Sequence, residues 1–319
     1  MQVIRELETL TPGQPYALTV GVFDGIHQGH RFLIQETCRA AKDVGAQAGM
    51  VTFWPHPLEV LRPGREVRYL TLLEEKLDIL AKQGDLDMVV VLPFTPALAA
   101  TSASGFMELL RRHLVLRVLV EGTDFAFGHN REGTMAFLSA YGKEHGFLVE
   151  TIDLQLADNE RISSTRVRDL LGSGQVEDVM PLLGRPYSAR GRVVQGDQRG
   201  RLLGFPTANL SLDARKFLPA DGVYAVRAQV GEQGYEGVTN IGVRPTVDGK
   251  HHLTEVHLLD MQADLYGQEL EIEFIARLRG EQRFPNVEAL RGQIEQDIRQ
   301  ARVTLGQYGK GEPERGAVW

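Results

Sequence analysis

Several stretches carry residues whose types and spacing could do chemistry. In Gly21-Val22-Phe23-Asp24-Gly25-Ile26-His27-Gln28-Gly29-His30, two imidazoles flank a glycine directly after an apolar run. Such a pair suits metal ligation, acid–base work or the holding of an anion, and two surface histidines in a turn would do none of these. A zinc site needs three or four ligands, and no further Cys or His group stands nearby. The position favours an anion, because the pair follows an expected strand and precedes an expected helix. Helix N-termini offer free N–H groups and a positive dipole end, and Gly29 lets backbone come close.

A second stretch, Ile162-Ser163-Ser164-Thr165-Arg166-Val167-Arg168, puts hydroxyls and then arginines at a helix start. Taken alone it could be a plain cap with exposed arginines. A third, from Gly196 to Asn209, holds Gly196, Gly200, Gly204, Pro206, Thr207 and Asn209. Successive glycines could make a nest of backbone N–H groups for an anion. Thr207 and Asn209 could give hard oxygen ligands to Mg²⁺. A barrel turn without any ligand would read the same way. In Glu255-Val256-His257-Leu258, strand alternation sets Glu255 and His257 on one face and the apolar pair on the other. The carboxylate therefore points into a site or solvent. His251, His252 and His257 lack the acidic or thiol partners that would complete a metal site.

The elements that must position these residues fall into two patterns. Apolar runs at 17–23, 48–53, 88–94, 115–120 and 147–152 read as strands buried on both faces. Helical patterns lie between them. Thr71-Leu72-Leu73-Glu74 forms a capping-box pattern ahead of Leu77 and Leu80, and Gly84 ends that helix. Ser104 can cap a helix carrying Phe106, Leu109, Leu110 and His113. This rhythm predicts an α/β domain, Rossmann-like, with a parallel sheet. From Tyr187 to Leu278 the chain instead shows short alternating strands and turns, which predict an antiparallel β-barrel. A terminal helix follows, capped by Asn286 and carrying Val287, Leu290, Ile294, Ile298 and Ala301 on one face. The expected domains are 1–182 and 183–305, with 306–319 as a loose tail.

Bulk composition narrows the classes. The 319 residues carry a net charge of −7, which argues against nucleic-acid or membrane-surface partners. A single cysteine, Cys38, excludes a disulfide framework, and a reducing, cytoplasmic location is expected. The N-terminal stretch does not read as a secretory signal, and no run is long enough to span a membrane.

His27-Gln28-Gly29-His30 resembles the HxGH signature of the nucleotidyltransferase superfamily, and Ile162 to Arg168 resembles its second signature. The resemblance implies transfer of an adenylyl group from ATP with release of pyrophosphate. Attack by a phosphate on the α-phosphorus needs no strong general base, so alignment and charge neutralisation are the expected tasks. The implied phosphate-handling residues are Phe23, Asp24, Gly25, His27, Gly29, His30, Ser163, Ser164, Thr165 and Arg168, of which His27, His30 and Arg168 are catalytic. Thr52 to Pro57 and Gly122 to Gly128 further resemble the bacterial bifunctional riboflavin kinase/FAD synthetase family. That implies an FMN side formed by Pro55, His56, Pro57, Asp124, Phe125 and Phe127, although either ring could be plain core. Val22, Trp54 and Ala126 depart from the family's common residues.

The string Gly204-Phe205-Pro206-Thr207-Ala208-Asn209 resembles the riboflavin kinase signature, whose threonine and asparagine serve Mg²⁺ and ATP. Asp221 to Tyr224, Thr239 to Thr246 and Glu255 to Asp260 continue the resemblance, which covers about residues 15–305; Gln195 replaces a frequent histidine. It implies ATP and flavin contacts from Gly196, Gly200, Gly204, Pro206, Thr207, Asn209, Tyr224, Asn240 and Arg244, with Glu255 as general base. The expected function is riboflavin to FMN and FMN to FAD, with ATP as co-substrate and FMN and FAD as products. Two other functions remain open: an adenylyltransferase for another phosphomonoester with an inactive barrel, and a non-catalytic flavin binder. The expected partners are riboflavin, FMN and ATP; weak self-association is left open.

Overall fold

The computed structural model describes residues 1–311 except 11, 12, 154, 155, 158, 159, 197–199, 201, 202, 247, 248 and 262. Side chains at 156, 157, 160, 243–246, 249–252 and 309–311 also lie outside the description. Contacts divide the chain into two compact units, Met1–Ser164 and Thr165–Trp319.

The first unit is a parallel sheet of β1 (Gln2–Ile4), β2 (Pro15–Val20), β3 (Gln47–Trp54), β4 (Met88–Pro93), β5 (Val115–Gly122) and β6 (Leu148–Ile152), in the order β1-β4-β3-β2-β5-β6. Its helices are α1 (Gln28–Asp43), α2 (Pro57–Leu61), α3 (Leu73–Gln83), α4 (Pro96–Ala99), α5 (Ala103–His113) and α6 (Met135–His145). Successive strand residues feed opposite faces. Leu18, Val51, Val90 and Leu119 enter one apolar cluster, while Ala17, Met50, Val89 and Val118 enter the other. That double burial is why the strands read as unbroken apolar runs. The chain leads outward from β2 through β3 and β4 on one side and through β5 and β6 on the other. The β2–β5 gap is thus the switch point, where open α/β sheets hold ligands beyond the strand ends.

The expected Rossmann-like layer forms, with local differences. The first run leaves the sheet after Val20, because Phe23 takes a left-handed φ of 50°. β1 escapes the sequence pattern because it has only three residues. The cap of α5 is Ser102, not Ser104: its Oγ accepts the Gly105 N–H at 3.1 Å, and Ser104 falls inside the first turn. At α3 the Leu72 N–H donates to Glu75, not Glu74, at 2.9 Å. Thr71 is turned away to accept the Gly25 N–H at 3.0 Å. A two-stranded ribbon, β7 (Leu156–Ala157) and β8 (Glu160–Arg161), precedes α7 (Ser164–Ser173).

In the second unit, α8 (Val176–Leu183) leads into six antiparallel strands: β9 (Tyr187–Val194), β10 (Ala208–Ser211), β11 (Gly222–Val230), β12 (Gln233–Thr246), β13 (Gly249–Leu258) and β14 (Glu269–Arg279). They close as the barrel β10-β13-β12-β11-β14-β9, with β9 also pairing β10. Helix α9 (Val287–Gly311) follows. Asn286 caps it as expected, its Oδ1 accepting the Ala289 N–H at 2.8 Å. Ala301 and Leu305 are buried against Ala225 and Ile275 of the barrel. Val287, placed by the sequence pattern on the same face, is 57% exposed. The stretch from Gly306, expected as a loose tail, is helical through Gly311. Tyr308 anchors it, hydrogen-bonding Met180 at 2.7 Å and lying under the Arg227 guanidinium at 4.7 Å.

Candidate active sites

The first site begins where β2 ends. Gly21 makes the last ladder bond, to the Val51 carbonyl at 3.0 Å. Three of the next five residues then take left-handed backbone: Phe23 at φ 50°, Gly25 at 87° and Ile26 at 41°. The turn delivers His27 as the N-cap of α1, its Nδ1 accepting the His30 N–H at 3.3 Å. The two imidazoles stack, with centroids 3.6 Å apart and planes 16° apart. A Cβ at Gly29 would come within 3.3 Å of the His27 ring, a tight contact, and 3.7 Å of the Ile162 carbonyl, an ordinary one, so the glycine lets these groups approach closely. Ser164 donates to the Asp24 carbonyl at 2.8 Å and ties the second signature to this loop.

The expected residues divide by role. Phe23 and His30 line a cavity of about 640 Å³. Asp24, expected to face phosphate, is buried, and its carboxylate accepts the N–H groups of Leu70 and Thr71 at 3.2 and 3.0 Å. His27 is buried behind His30. Gly25 brings the loop against Leu70, whose Cδ1 would meet an added Cβ at 2.9 Å. We expect Gly25→Ala to destabilise the first unit by about 1–3 kcal/mol, the cost of a non-glycine residue forced into left-handed backbone. Urea unfolding checks this. Ser163 is half-buried; Thr165 lies in the first turn of α7 and Arg168 in the second, both in the second unit.

The rest of the cavity is aromatic. Phe53, Phe94, Phe106, Phe125 and Phe127 line it, with Pro57 and Asp124. Phe125 stacks on Phe127 at 5.5 Å, and Phe127 meets Phe106 edge-on at 5.5 Å. Both expected rings therefore serve as cavity wall and as the edge of the core. Asp124 forms a two-pronged ion pair with Arg161, one arm at 2.8 Å. Bonding to that guanidinium holds its carboxyl below the ordinary range. His56 caps α2, its Nδ1 accepting from Leu58 at 3.1 Å, and Pro55 precedes it; neither is on the wall.

Sequence reasoning missed three polar groups here. Lys76 is 2% exposed, and its Nζ donates to the Val22 carbonyl at 2.5 Å. Glu121 is 1% exposed and takes the Val20 N–H at 2.7 Å. Burial pushes its carboxyl well above the ordinary range. It bridges the strand ends at the switch point and lines the cavity. Thr71 is the third. Nothing in a helix or strand pattern marks these roles, because the partners lie 46, 54 and 101 positions away for Thr71, Lys76 and Glu121.

The second site is a cavity of about 810 Å³ in the barrel unit. Register places its polar floor: Glu255 of β13 stands directly opposite Asn209 of β10 on one side and Asn240 of β12 on the other. Directly paired residues hold their Cβ atoms about 4.5–5.5 Å apart, so the carboxylate is flanked by two amides. Thr207 and Gly200 complete this end. Val223, Val238, Leu253, Leu290, Ile294 and Ile298 supply an apolar wall. The expected face of Glu255 and His257 is the cavity face, while Val256 and Leu258 are buried. His257 Nδ1 lies 2.8 Å from the Pro206 carbonyl, which can only accept, so Nδ1 carries the proton.

Other expected residues stand elsewhere. Tyr224, expected to touch ligand, is fully buried in the barrel core. Its hydroxyl donates to the Ala220 carbonyl at 2.5 Å and its ring meets Phe274 edge-on. Gly196 lies against Asn209, whose amide fills the space of a Cβ. Gly204 takes φ 91°, a backbone state suited to glycine. The Arg244 side chain lies outside the described residues. Arg279 and Asp297 were not singled out in the sequence. They form a bidentate pair at 2.8–3.1 Å on the cavity wall.

The fit to Mg²⁺ rests on donor chemistry. Among the described residues no group of three or more His, Cys, Asp or Glu side chains is placed to hold a metal ion. Mg²⁺ does not require one, since it keeps several waters and is usually bound through one or two carboxylates plus substrate phosphates. The Thr207 hydroxyl and the Asn209 amide oxygen are hard oxygens that line the same cavity as the Glu255 carboxylate.

Comparison with known proteins bears on both units. A riboflavin kinase family model matches residues 183–305, and a FAD synthetase model matches residues 11–166. A bifunctional riboflavin kinase/FMN adenylyltransferase of Escherichia coli K12 is 40% identical over 310 residues, covering 96% of this chain and 98% of the relative. Its counterpart in Bacillus subtilis is 36% identical over 290 residues, covering 89% and 90%. A crystal structure from Streptococcus pneumoniae, described as a macrolide-efflux protein, superposes with a TM-score of 0.87 at 29% identity, covering 94% and 98%. Among the described residues no helix is long and apolar enough to cross a membrane. With both halves matched and relatives aligned over almost their whole length, the chain belongs to the bifunctional riboflavin kinase/FMN adenylyltransferase family.

Proposed function

We propose that the barrel unit phosphorylates riboflavin and that the α/β unit adenylylates the FMN so formed. The observation that carries this reading is the Asn209–Glu255–Asn240 row, which faces the same cavity as the apolar wall of Val223, Val238, Leu253, Leu290, Ile294 and Ile298. An apolar ring system fits the wall, and a primary alcohol fits the polar floor. Glu255 accepts the proton of the ribityl 5′-hydroxyl as its oxygen attacks the γ-phosphorus of ATP, and ADP leaves. Thr207 and Asn209 would hold Mg²⁺, which when bound neutralises triphosphate charge. Gly196, Gly200 and Gly204 let the loop backbone approach those phosphates, while Pro206 orients His257.

In the α/β unit, an FMN phosphate oxygen attacks the α-phosphorus of ATP and pyrophosphate leaves. The flavin lies on Phe125 and Phe127, with Pro57 and Asp124 at its edge. His30, the α1 N-terminus and the Ser163 hydroxyl take up the growing charge. We place the domain boundary near residue 183 and the activity in the cytoplasm, as the single cysteine supports. The test incubates the whole chain with riboflavin, ATP and Mg²⁺ and separates the flavins by chromatography. FMN followed by FAD is expected, with both lost on chelation. Absence of both products in the complete mixture overturns the reading.

A further inference from the structure

We propose that Lys76 is a positioning residue for adenylyl transfer: from α3 its ammonium grips the Val22 carbonyl and holds the left-handed loop that aims Phe23 and His30 into the cavity. The inference rests on the function proposed above for that cavity.

The Val22 carbonyl needs a partner. The ladder to β3 ends at Gly21, and the chain then turns out of the sheet. A buried carbonyl without a donor is costly. Lys76 Nζ meets it at 2.5 Å and the Thr52 hydroxyl at 3.1 Å, with Nζ also 3.3 Å from Thr52 Oγ1. The next residue, Phe23, is a non-glycine residue at φ 50°. Such backbone persists only when its surroundings over-determine it. Thr71 and the Asp24 carboxylate fix the far side of the turn; Lys76 and Thr52 fix the near side. Phe23 then sets its ring edge-on to His30 at 5.1 Å. An apolar side chain could fill the volume of Lys76 at no charge-burial cost, so the ammonium is there for the contact it makes.

The groups that face the ammonium are few. The loop presents Asp24, whose charge favours the protonated amine, and α1 presents His30, whose own protonation Lys76 opposes. β3 faces it with the uncharged Thr52 hydroxyl. Burial is the larger influence, and it brings the amine down to about 8. Above that pH the clamp becomes a neutral amine and its grip on the carbonyl weakens. Stability moves the other way. A lysine whose folded pKa is depressed favours folding increasingly as pH climbs from about 8 to its ordinary 10.5. Activity should therefore fall over a range in which this group does not weaken the fold.

The test compares wild type, Lys76→Met and Lys76→Gln, following FAD formation from supplied FMN between pH 6.5 and 9.5. Riboflavin phosphorylation by the same molecules serves as the internal control. Expected is a kcat for adenylylation roughly 10- to 100-fold lower in Lys76→Met at pH 7, the scale of a misplaced reacting group, with phosphorylation within about twofold. The wild-type alkaline limb near pH 8 should be absent from both variants. Retained kcat, an alkaline limb that survives in the variants, or equal loss of both activities overturns the proposal. The imidazole signals of His30 give a readout independent of turnover: its titration should move upward in either variant. An unmoved His30 overturns the proposal even if one variant folds poorly. If wild type makes no FAD from FMN, the proposed function has failed, and the His30 titration alone decides on Lys76.

Discussion

Glu255→Ala is expected to lower FMN formation by at least about 10²-fold, the smallest usual contribution of a general base, while FMN supplied from outside is still converted to FAD. A primary alcohol attacks phosphorus slowly while it keeps its proton, so a carboxylate within hydrogen-bond reach has a defined task. Glu255 is suited to it by register. It sits mid-strand on β13, flanked by Asn209 and Asn240, and its side chain reaches the cavity rather than the barrel core. Strand positions hold a side chain more precisely than loops, which matters because general-base efficiency depends on reach. Glu255→Gln separates charge from shape: the amide keeps the size and polar contacts but cannot accept the proton. Both variants should lose kcat, with thermal unfolding of the barrel changed little, since Glu255 faces a cavity. Phosphorylation within about threefold of wild type in Glu255→Gln would sink the assignment.

What could be read from the sequence follows the range of each interaction. The parallel sheet and the barrel were legible because double burial and alternation are written in neighbouring residues, as at Met50–Val51 and Val89–Val90. Glu255 and His257 were placed on their correct face by the same alternation. Caps were legible only to within a turn: Ser102 rather than Ser104 begins α5, and Glu75 rather than Glu74 serves α3. Tyr224 shows the limit of a motif. Its place in Asp221-Gly222-Val223-Tyr224 marks a strand start, yet alternation gives Val223 to the cavity face and sends the Tyr224 ring to the opposite face, into the barrel against Phe274. Lys76, Thr71 and Glu121 were not legible. Each sits among ordinary helix, loop or strand residues and acquires its role from a distant backbone group: Val22, Gly25 and Val20 respectively. The histidine pair was placed at the strand end, while the difference between its members was not legible: His27 caps α1 and stacks on His30, and His30 lines the cavity.

That difference predicts the second large effect. His30→Ala should reduce FAD formation from FMN by about 10²–10³-fold, the cost of removing one preorganised donor from developing charge, while riboflavin phosphorylation continues. His30 is half-buried as a residue, and its Nδ1 is fully enclosed with no hydrogen-bond partner among the described residues. Burial first, then the charges of His27, Lys76 and Arg161, hold its pKa well below the ordinary 6.5. The resting ring is therefore neutral at pH 7, with one N–H to offer. A triphosphate brought into the cavity reverses the electrostatics, because added negative charge favours the imidazolium. ATP binding should then take up protons near neutral pH, measurable as a buffer-dependent enthalpy that His30→Ala abolishes. Stability supplies the sign check. With a depressed folded pKa, His30 contributes stability that is present above the unfolded value of about 6.5. That stability is lost as pH falls through the folded value, since the unfolded chain binds the proton first. Acid should weaken the first unit of wild type more than that of His30→Ala, and ATP should offset the difference. Equal acid sensitivity in the two proteins, or adenylylation by His30→Ala within a few-fold of wild type, would leave the α1 N-terminus rather than His30 as the main anion holder.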